Sequence, residues 1–260
     1  RKRFKGQVIA ITGSVGKTSS KDMLADVLSK FGKVSKAEKS FNNHLGVPLT
    51  LARTPPNNDF LIVEIGMSNK NEIAPLSALV QPHIALITDV SEAHLASFND
   101  VGEIAKEKSD ICFGLTKQGH CVVCRDSREY VNLSKYINNF QVKIISFGEN
   151  NSSMYKLKKT VIMNNKTCAE AVLQNGVEFF FKVNSPGAHH ARNALGIICI
   201  LEILEIDIAQ GMFELSNWNP SSGRGLATNI KYNDRHEVRS FTIIDETYNA
   251  NPTSVIAALK

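Results

Sequence analysis

The 260-residue sequence predicts an α/β fold: a mainly parallel β-sheet flanked by helices, with a small antiparallel β annex. Three observations lead there. Between residues 8 and 28 a short apolar run is followed by a glycine turn and a helix-like segment. Further apolar runs at 60–66, 83–88, 120–124 and 142–147 are separated by helical stretches, the pattern of βαβ units and parallel strands. Between 154 and 183 the pattern changes. Several β-like runs follow one another across Asn-Asn and Asn-Gly turns, with no helix between them, as antiparallel strands do.

The first run, Val8-Ile9-Ala10-Ile11, leads into Thr12-Gly13-Ser14-Val15-Gly16-Lys17-Thr18-Ser19. Glycines let the backbone approach a ligand, several N–H groups point inward, and the helix N-terminus carries partial positive charge, so a phosphate fits here. Lys17 is placed to reach the β- and γ-phosphates of a nucleotide, and the Thr18 hydroxyl to hold Mg²⁺. Ile11 stands where the general G-x-x-x-x-G-K-[ST] pattern has its first glycine, so this phosphate-binding P-loop reads T-G-x-x-G-K-T. An ordinary tight strand-to-helix turn would not need Gly-Lys-Thr at the helix start.

The helix after the loop carries Met23, Leu24, Val27 and Leu28 on one stripe and ends at Gly32. Residues 39–48 are rich in Asn and Gly and precede a short helix through Ala52; 54–58 form a turn. The run 60–66 reads as a fully buried strand ending near Glu64. The C-terminal end of a hydrophobic parallel strand is where metal-ligating acids sit, the alternative being an edge acid facing solvent. The strand at 83–88 ends in Asp89-Val90-Ser91-Glu92-Ala93-His94. Residues 101–113 read as a helix with Ile104, Lys108, Ile111 and Cys112 near one side. After the annex, Pro186-Gly187 precedes an apolar helix at 192–205 and a shorter one at 207–215, and a last strand at 241–244 ends in Asp245.

Hydrophobic content of 43% and charged content of 21% are those of an ordinary globular protein. The longest apolar candidate, 194–208, is interrupted by Glu202 and Glu205, which predicts no membrane span, and no signal peptide is seen. The net charge of +5 owes much to Arg1, Lys2, Arg3, Lys5, Lys156, Lys158 and Lys159; it suits an anionic substrate such as a nucleotide without pointing to nucleic acid. Five cysteines stand singly except in Cys121-Val122-Val123-Cys124, which lacks the second pair that zinc would want. They read as buried reduced thiols in a reducing, cytoplasmic setting.

Eight motifs then occur in order: T-G-S-V-G-K-T-S, F-N-N-H-L-G-V-P, V-E-I-G-M, D-V-S-E-A-H-L, I-A-K-E-K-S-D-I, P-G-A-H-H-A-R-N-A-L, G-R-G and D-E-T-Y-N-A-N-P. Together they resemble the Mur ligases, ATP-dependent amide-forming enzymes of peptidoglycan synthesis. Within that family, D-E-T-Y-N-A-N-P and E-I-G-M-S-N-K-N-E-I resemble the branch that joins D-alanyl-D-alanine to UDP-N-acetylmuramoyl tripeptide. The related folylpolyglutamate synthases share the loop but end in D-G-A-H-N-P. A simple P-loop kinase or a non-catalytic nucleotide-binding module are the readings from other classes.

The resemblance implies a three-domain enzyme, with residues 1–225 as the central ATP-binding domain and 226–260 as a hinge and the start of the C-terminal domain, the UDP-binding domain being absent here. It implies ATP and Mg²⁺ as cofactors; a monomer is expected. Gly13, Ser14, Val15, Gly16, Lys17, Thr18 and Ser19 match its phosphate loop. Thr18, Glu64 and His94 match Mg²⁺ ligands, and Lys108 matches a lysine carried as a carbamate in several members. Asn42, Asn43 and His44 match a substrate-side loop. His189 and Asn193 match residues that meet the adenine, Arg224 an arginine near the ATP phosphates, and Asp245 an acid that meets the ribose. Tyr248, Asn249 and Asn251 lie in a hinge-side motif. Taken as bare residues, His94 suits a hydrogen-bonding role, Lys108 a solvated helix face, and the two Asn a turn.

Overall fold

A computed structural model describes residues 1–92, 97–173, 175–234, 237–248, 255–256 and 259. Strand β1 (Gln7–Thr12) enters α1 (Lys17–Leu28), followed by β2 (Val34–Lys36), α2 (Gly46–Arg53), β3 (Phe60–Glu64), α3 (Ile73–Val80) and β4 (Ile84–Ile87). Next come α4 (Val101–Ser109), a 3-10 turn (Asp110–Gly114), β5 (His120–Cys124), α5 (Tyr130–Asn138) and β6 (Lys143–Gly148). Strands β7 (Tyr155–Met163), β8 (Lys166–Leu173) and β9 (Glu178–Val183) lead to α6 (Ala188–Ile203), α7 (Ile208–Leu215), β10 (Leu226–Asp234) and β11 (Glu237–Asp245).

Nine strands form one sheet in the order β2-β3-β1-β4-β5-β6-β7-β8-β9. Pairing is parallel from β2 through β7 and antiparallel from β7 to β9. The antiparallel annex is therefore an extension of the main sheet, joined through Phe147↔Tyr155 and Gly148↔Lys156. Strand β7 runs through a bulge between Leu157 and Lys159, which is why its sequence reads as two runs. Strands β10 and β11 make a separate antiparallel pair.

Strand β1 is central and covered on both faces, so Val8 to Ile11 are apolar without alternation. Ile9 and Ile11 face α1 and α6, while Val8 and Ala10 face the layer of α3, α4 and α5. The same alternation separates the two cysteines of β5. Cys121 belongs to one core and Cys124 to the other, because positions three apart on a strand point to opposite faces. They cannot share a metal, and burial pushes the Cys124 thiol up to about 12.

Helix α4 begins at Asp100, whose carboxylate accepts from Glu103 N at 2.8 Å, while Glu103 accepts from Asn99 N at 2.9 Å. Asp100→Ala should cost about 1 kcal/mol, read as a lower urea midpoint at unchanged slope.

Candidate active site

The site lies where the carboxyl ends of β1, β3 and β4 meet the start of α1, the usual place for a ligand in a parallel sheet. After β1 the chain turns at Gly13 (φ 151°) and Gly16 (φ 83°). A Cβ on Gly13 would come within 2.0 Å of Thr88 Oγ1, so only glycine fits there. A Cβ on Gly16 would meet Asn193 Oδ1 at 3.1 Å, which places Asn193 of α6 directly under the loop. Strand β4 braces the loop from the side. Thr88 Oγ1 donates to Val15 O at 2.6 Å, Ser14 N donates to Asp89 O at 2.9 Å, and Ser14 Oγ donates to Ser91 O at 2.9 Å.

Lys17 folds back across this loop and donates to Gly13 O at 2.6 Å. Burial lowers its pKa, the carboxylate of Glu64 works against that, and the charge of Arg224 adds to it. Glu64 closes β3 and is 1% exposed. Thr18 Oγ1 donates to its Oε2 at 2.8 Å, Asn42 Nδ2 donates to its Oε1 at 2.8 Å, and Lys21 Nζ lies 3.9 Å away. Buried acid, hydroxyl and amide thus form one oxygen-rich corner. Hard cations take such donors, so the residues fit a Mg²⁺ ion.

Lys108 forms another wall and is 2% exposed, so a solvated helix face is not its setting. Burial drives its pKa well below the usual lysine range and the nearby Lys17 adds to that, against opposition from Asp89 and Glu107. Its neighbour Glu107 fixes the helix. The Glu107 carboxylate accepts from the N–H groups of Asn71, Glu72 and Ile73 at 2.7, 2.9 and 2.8 Å, at the N-terminus of α3.

Asp110, at the end of α4, is raised to about 6, by burial first and then by Glu107. Its folded value lies above its unfolded one, so its contribution to stability is complete below pH ~4 and is lost as pH rises through about 6. Asp110→Asn should therefore match the parent near pH 4 and exceed it at pH 7 by about 1 kcal/mol, after discounting for the half-exposed carboxyl. Urea midpoints at the two pH values decide this.

Arg224 reaches the cleft from the segment before β10. It donates from Nη2 to Ser40 Oγ at 3.3 Å, and its guanidinium stacks 4.5 Å above the Tyr248 ring. The turn that presents it is held by Asp245, which accepts from Thr247 Oγ1 at 2.6 Å, Gly223 N at 2.8 Å and Ser222 Oγ at 3.0 Å. These bonds, led by Thr247, draw the Asp245 carboxyl down to about 2.

A cleft of about 230 Å³ thus gathers Ser14, Val15, Gly16, Lys17, Thr18, Asn42, Asn43, Glu64, Lys108 and Arg224. Gly13 shapes the turn and Asn193 supports it from below. Ser19, His44, His189 and Asp245 lie off the cleft wall. Asn43 spends its side-chain oxygen on the N–H groups of Leu45 and Gly46, starting α2. His94, Asn249 and Asn251 lie outside the described residues. Sequence reasoning missed Ser40, Glu72 and Lys21. Lys21 had a signal: it falls four residues after Lys17, on the same helix face.

Residues 11–201 match the Mur ligase middle domain. Over its whole length the chain is 32% identical to the UDP-N-acetylmuramoyl-tripeptide--D-alanyl-D-alanine ligase of Rickettsia prowazekii, of which it covers 56%. A crystal structure of MurF from Acinetobacter baumannii is similar with a TM-score of 0.84 at 27% identity, over 96% of this chain and 52% of that one. The fold is also that of MurF ligase from Thermotoga maritima in complex with ADP, at a TM-score of 0.82 and 23% identity, over 99% of this chain and 57% of that one. The chain spans about half the length of the curated relatives it matches. Because the matched region holds the phosphate loop, Glu64, Lys108 and Asn193, and covers most of the chain, this protein belongs to the Mur ligase family and carries its middle domain.

Proposed function

We propose that this chain is the ATP-binding part of a ligase that joins D-alanyl-D-alanine to UDP-N-acetylmuramoyl tripeptide through an acyl phosphate. The observation that carries the reading is the convergence of Lys17, Thr18, Glu64, Lys108 and Arg224 on one cleft at the phosphate loop. Residues 1–225 act as the central domain and 226–260 as the hinge segment leading into a further domain; the complete enzyme is a cytoplasmic monomer.

The loop N–H groups hold the phosphates, and Lys17 exchanges the Gly13 carbonyl for the γ-phosphate. Arg224 neutralises charge on the transferring group from the opposite side. The tripeptide carboxylate attacks the γ-phosphorus, an oxygen–phosphorus bond forms, and ADP leaves. The dipeptide amine then attacks the acyl carbon, loses a proton, and displaces phosphate. Thr18 and Glu64 would hold one Mg²⁺ and His94 would ligate a second; when bound, the metal would neutralise the developing phosphoryl charge. Asn42, Asn43 and His44 lie toward the tripeptide, His189 and Asn193 toward the adenine, and Asp245 toward the ribose.

Lys108 in this reading is a carbamate. Burial lowers the Lys108 pKa and so favours the unprotonated amine, the form that adds to carbon dioxide and gives up a proton, leaving a carbamate anion in the cleft. A peptide mass at Lys108 without the added carbon dioxide, under bicarbonate and Mg²⁺, counts against it. The reaction itself is tested by phosphate release from the full-length enzyme. Release is expected with UDP-muramoyl tripeptide plus D-alanyl-D-alanine, and release only with folate plus glutamate overturns the reading. The isolated chain should bind Mg·ATP weakly and ligate nothing.

A further inference from the structure

We propose that His189, His190 and Glu246 form a binding site for a divalent transition-metal ion of the zinc type, separate from the Mg²⁺ corner at Glu64. One donor atom from each of the three side chains lies within 4.8 Å of the other two. His189 and His190 open α6, whereas Glu246 follows β11, so the site bridges the sheet domain and the segment that carries Tyr248.

Two further observations point into the same space. His190 is 2% exposed, yet neither of its ring nitrogens has a hydrogen-bond partner among the described residues. A buried polar group without a partner is costly, and a ligand that supplies one removes the cost. Gly225 leaves the gap open. A Cβ there would stand 3.0 Å from His190 Nε2 and 3.1 Å from Glu246 Oε1, so any side chain at 225 would fill the room between those two donors.

The donor set selects the class of ion. Two imidazoles and one carboxylate suit Zn²⁺, Co²⁺ or Ni²⁺, whereas Mg²⁺ takes predominantly oxygen donors, with the single histidine proposed at His94 the exception. A tetrahedral ion with bonds of about 2.1 Å holds neighbouring donors about 3.4 Å apart, so the three side chains draw inward by roughly 1 Å. The fourth position stays open to water. Bound there, the ion ties Glu246 to α6 and so fixes Tyr248, two residues on, over Arg224.

The chain carries its own reporter. Trp218 is the single tryptophan, and its ring centroid lies 5.5 Å from that of His190. Chelator-stripped protein titrated with Co²⁺ should lose Trp218 fluorescence saturably at one equivalent. Zn²⁺ should restore the signal and Mg²⁺ should not. His190→Asn and Glu246→Gln should each weaken Co²⁺ binding at least tenfold; Glu246 is only half-buried, so its variant separates ligation from folding, with a thermal melt as control. Unsaturable quenching, quenching unchanged in Glu246→Gln, or a thiolate-to-cobalt absorption band that places the ion on cysteines would each overturn the proposal. None of these readouts depends on ligase activity, so failure of the site is distinguishable from failure of the proposed reaction, although the two share His189.

Discussion

Lys17→Met should lower phosphate release by the full-length enzyme about 10²–10³-fold, the loss typical of removing one charge-stabilising donor from a reacting centre. The same substitution should leave the unliganded chain at least as stable as the parent. The reason is the setting of the ammonium. Burial disfavours its charge, and Arg224 adds repulsion, so the folded chain holds Lys17 against its own stability. Its single close hydrogen bond, to the Gly13 carbonyl, is one that a phosphate oxygen would replace. A cation kept at a cost to the fold is held for a ligand. Steady-state phosphate release and urea unfolding, measured side by side, check both halves. A large fall in stability would instead make Lys17 a structural clip across the loop.

What the sequence told about this site follows from local chemistry. The strand–glycine–helix passage around Gly13 and Gly16 is a short-range signal, and the structure has both glycines at positive φ with Lys17 and Thr18 opening α1. The runs at β3, β4, β5 and β6 were legible because strands covered on both faces are apolar without interruption. Helix α3 was not legible: it is eight residues long, holds Pro75 in its first turn, and takes its N-terminal cap from Glu107, 34 residues away in sequence from Ile73. Strand β10 was hidden because Leu226–Asp234 mixes polar and apolar residues and, among the described residues, pairs only with β11. Burial is likewise a tertiary quantity. In I-A-K-E-K-S-D-I the side shared with Ile104 and the K-x-x-I context single out Lys108 from Lys106, but spacing alone leaves a solvated face the better reading of either; the fold buries Lys108 and leaves Lys106 exposed. The His189–His190–Glu246 grouping joins residues more than fifty positions apart and needs the turn at Gly225 to exist.

Phe147→Ala should be among the most damaging core substitutions, costing about 3–5 kcal/mol by urea unfolding. Phe147 is 1% exposed at the point where β6 passes its pairing on to β7, and its ring lies against α6 at Gly196. An added Cβ at Gly196 would stand 2.9 Å from Phe147 Cζ, closer than atoms settle without a shift. Gly196→Ala alone should thus cost about 1–3 kcal/mol from overpacking, reduced by the roughly 1 kcal/mol that alanine gains over glycine within a helix. In the double variant the new methyl enters the space the ring has left. The two costs should then fall short of their sum by at least 0.5 kcal/mol, the mark of residues in contact. Strict additivity would mean that α6 does not rest on Phe147. The functional consequence runs through Asn193, one turn earlier on the same helix and directly beneath Gly16. Gly196→Ala in the full-length enzyme should therefore raise KM for ATP before it lowers kcat, because the displaced helix shifts the floor of the phosphate loop and leaves Lys17, Glu64 and Lys108 in place.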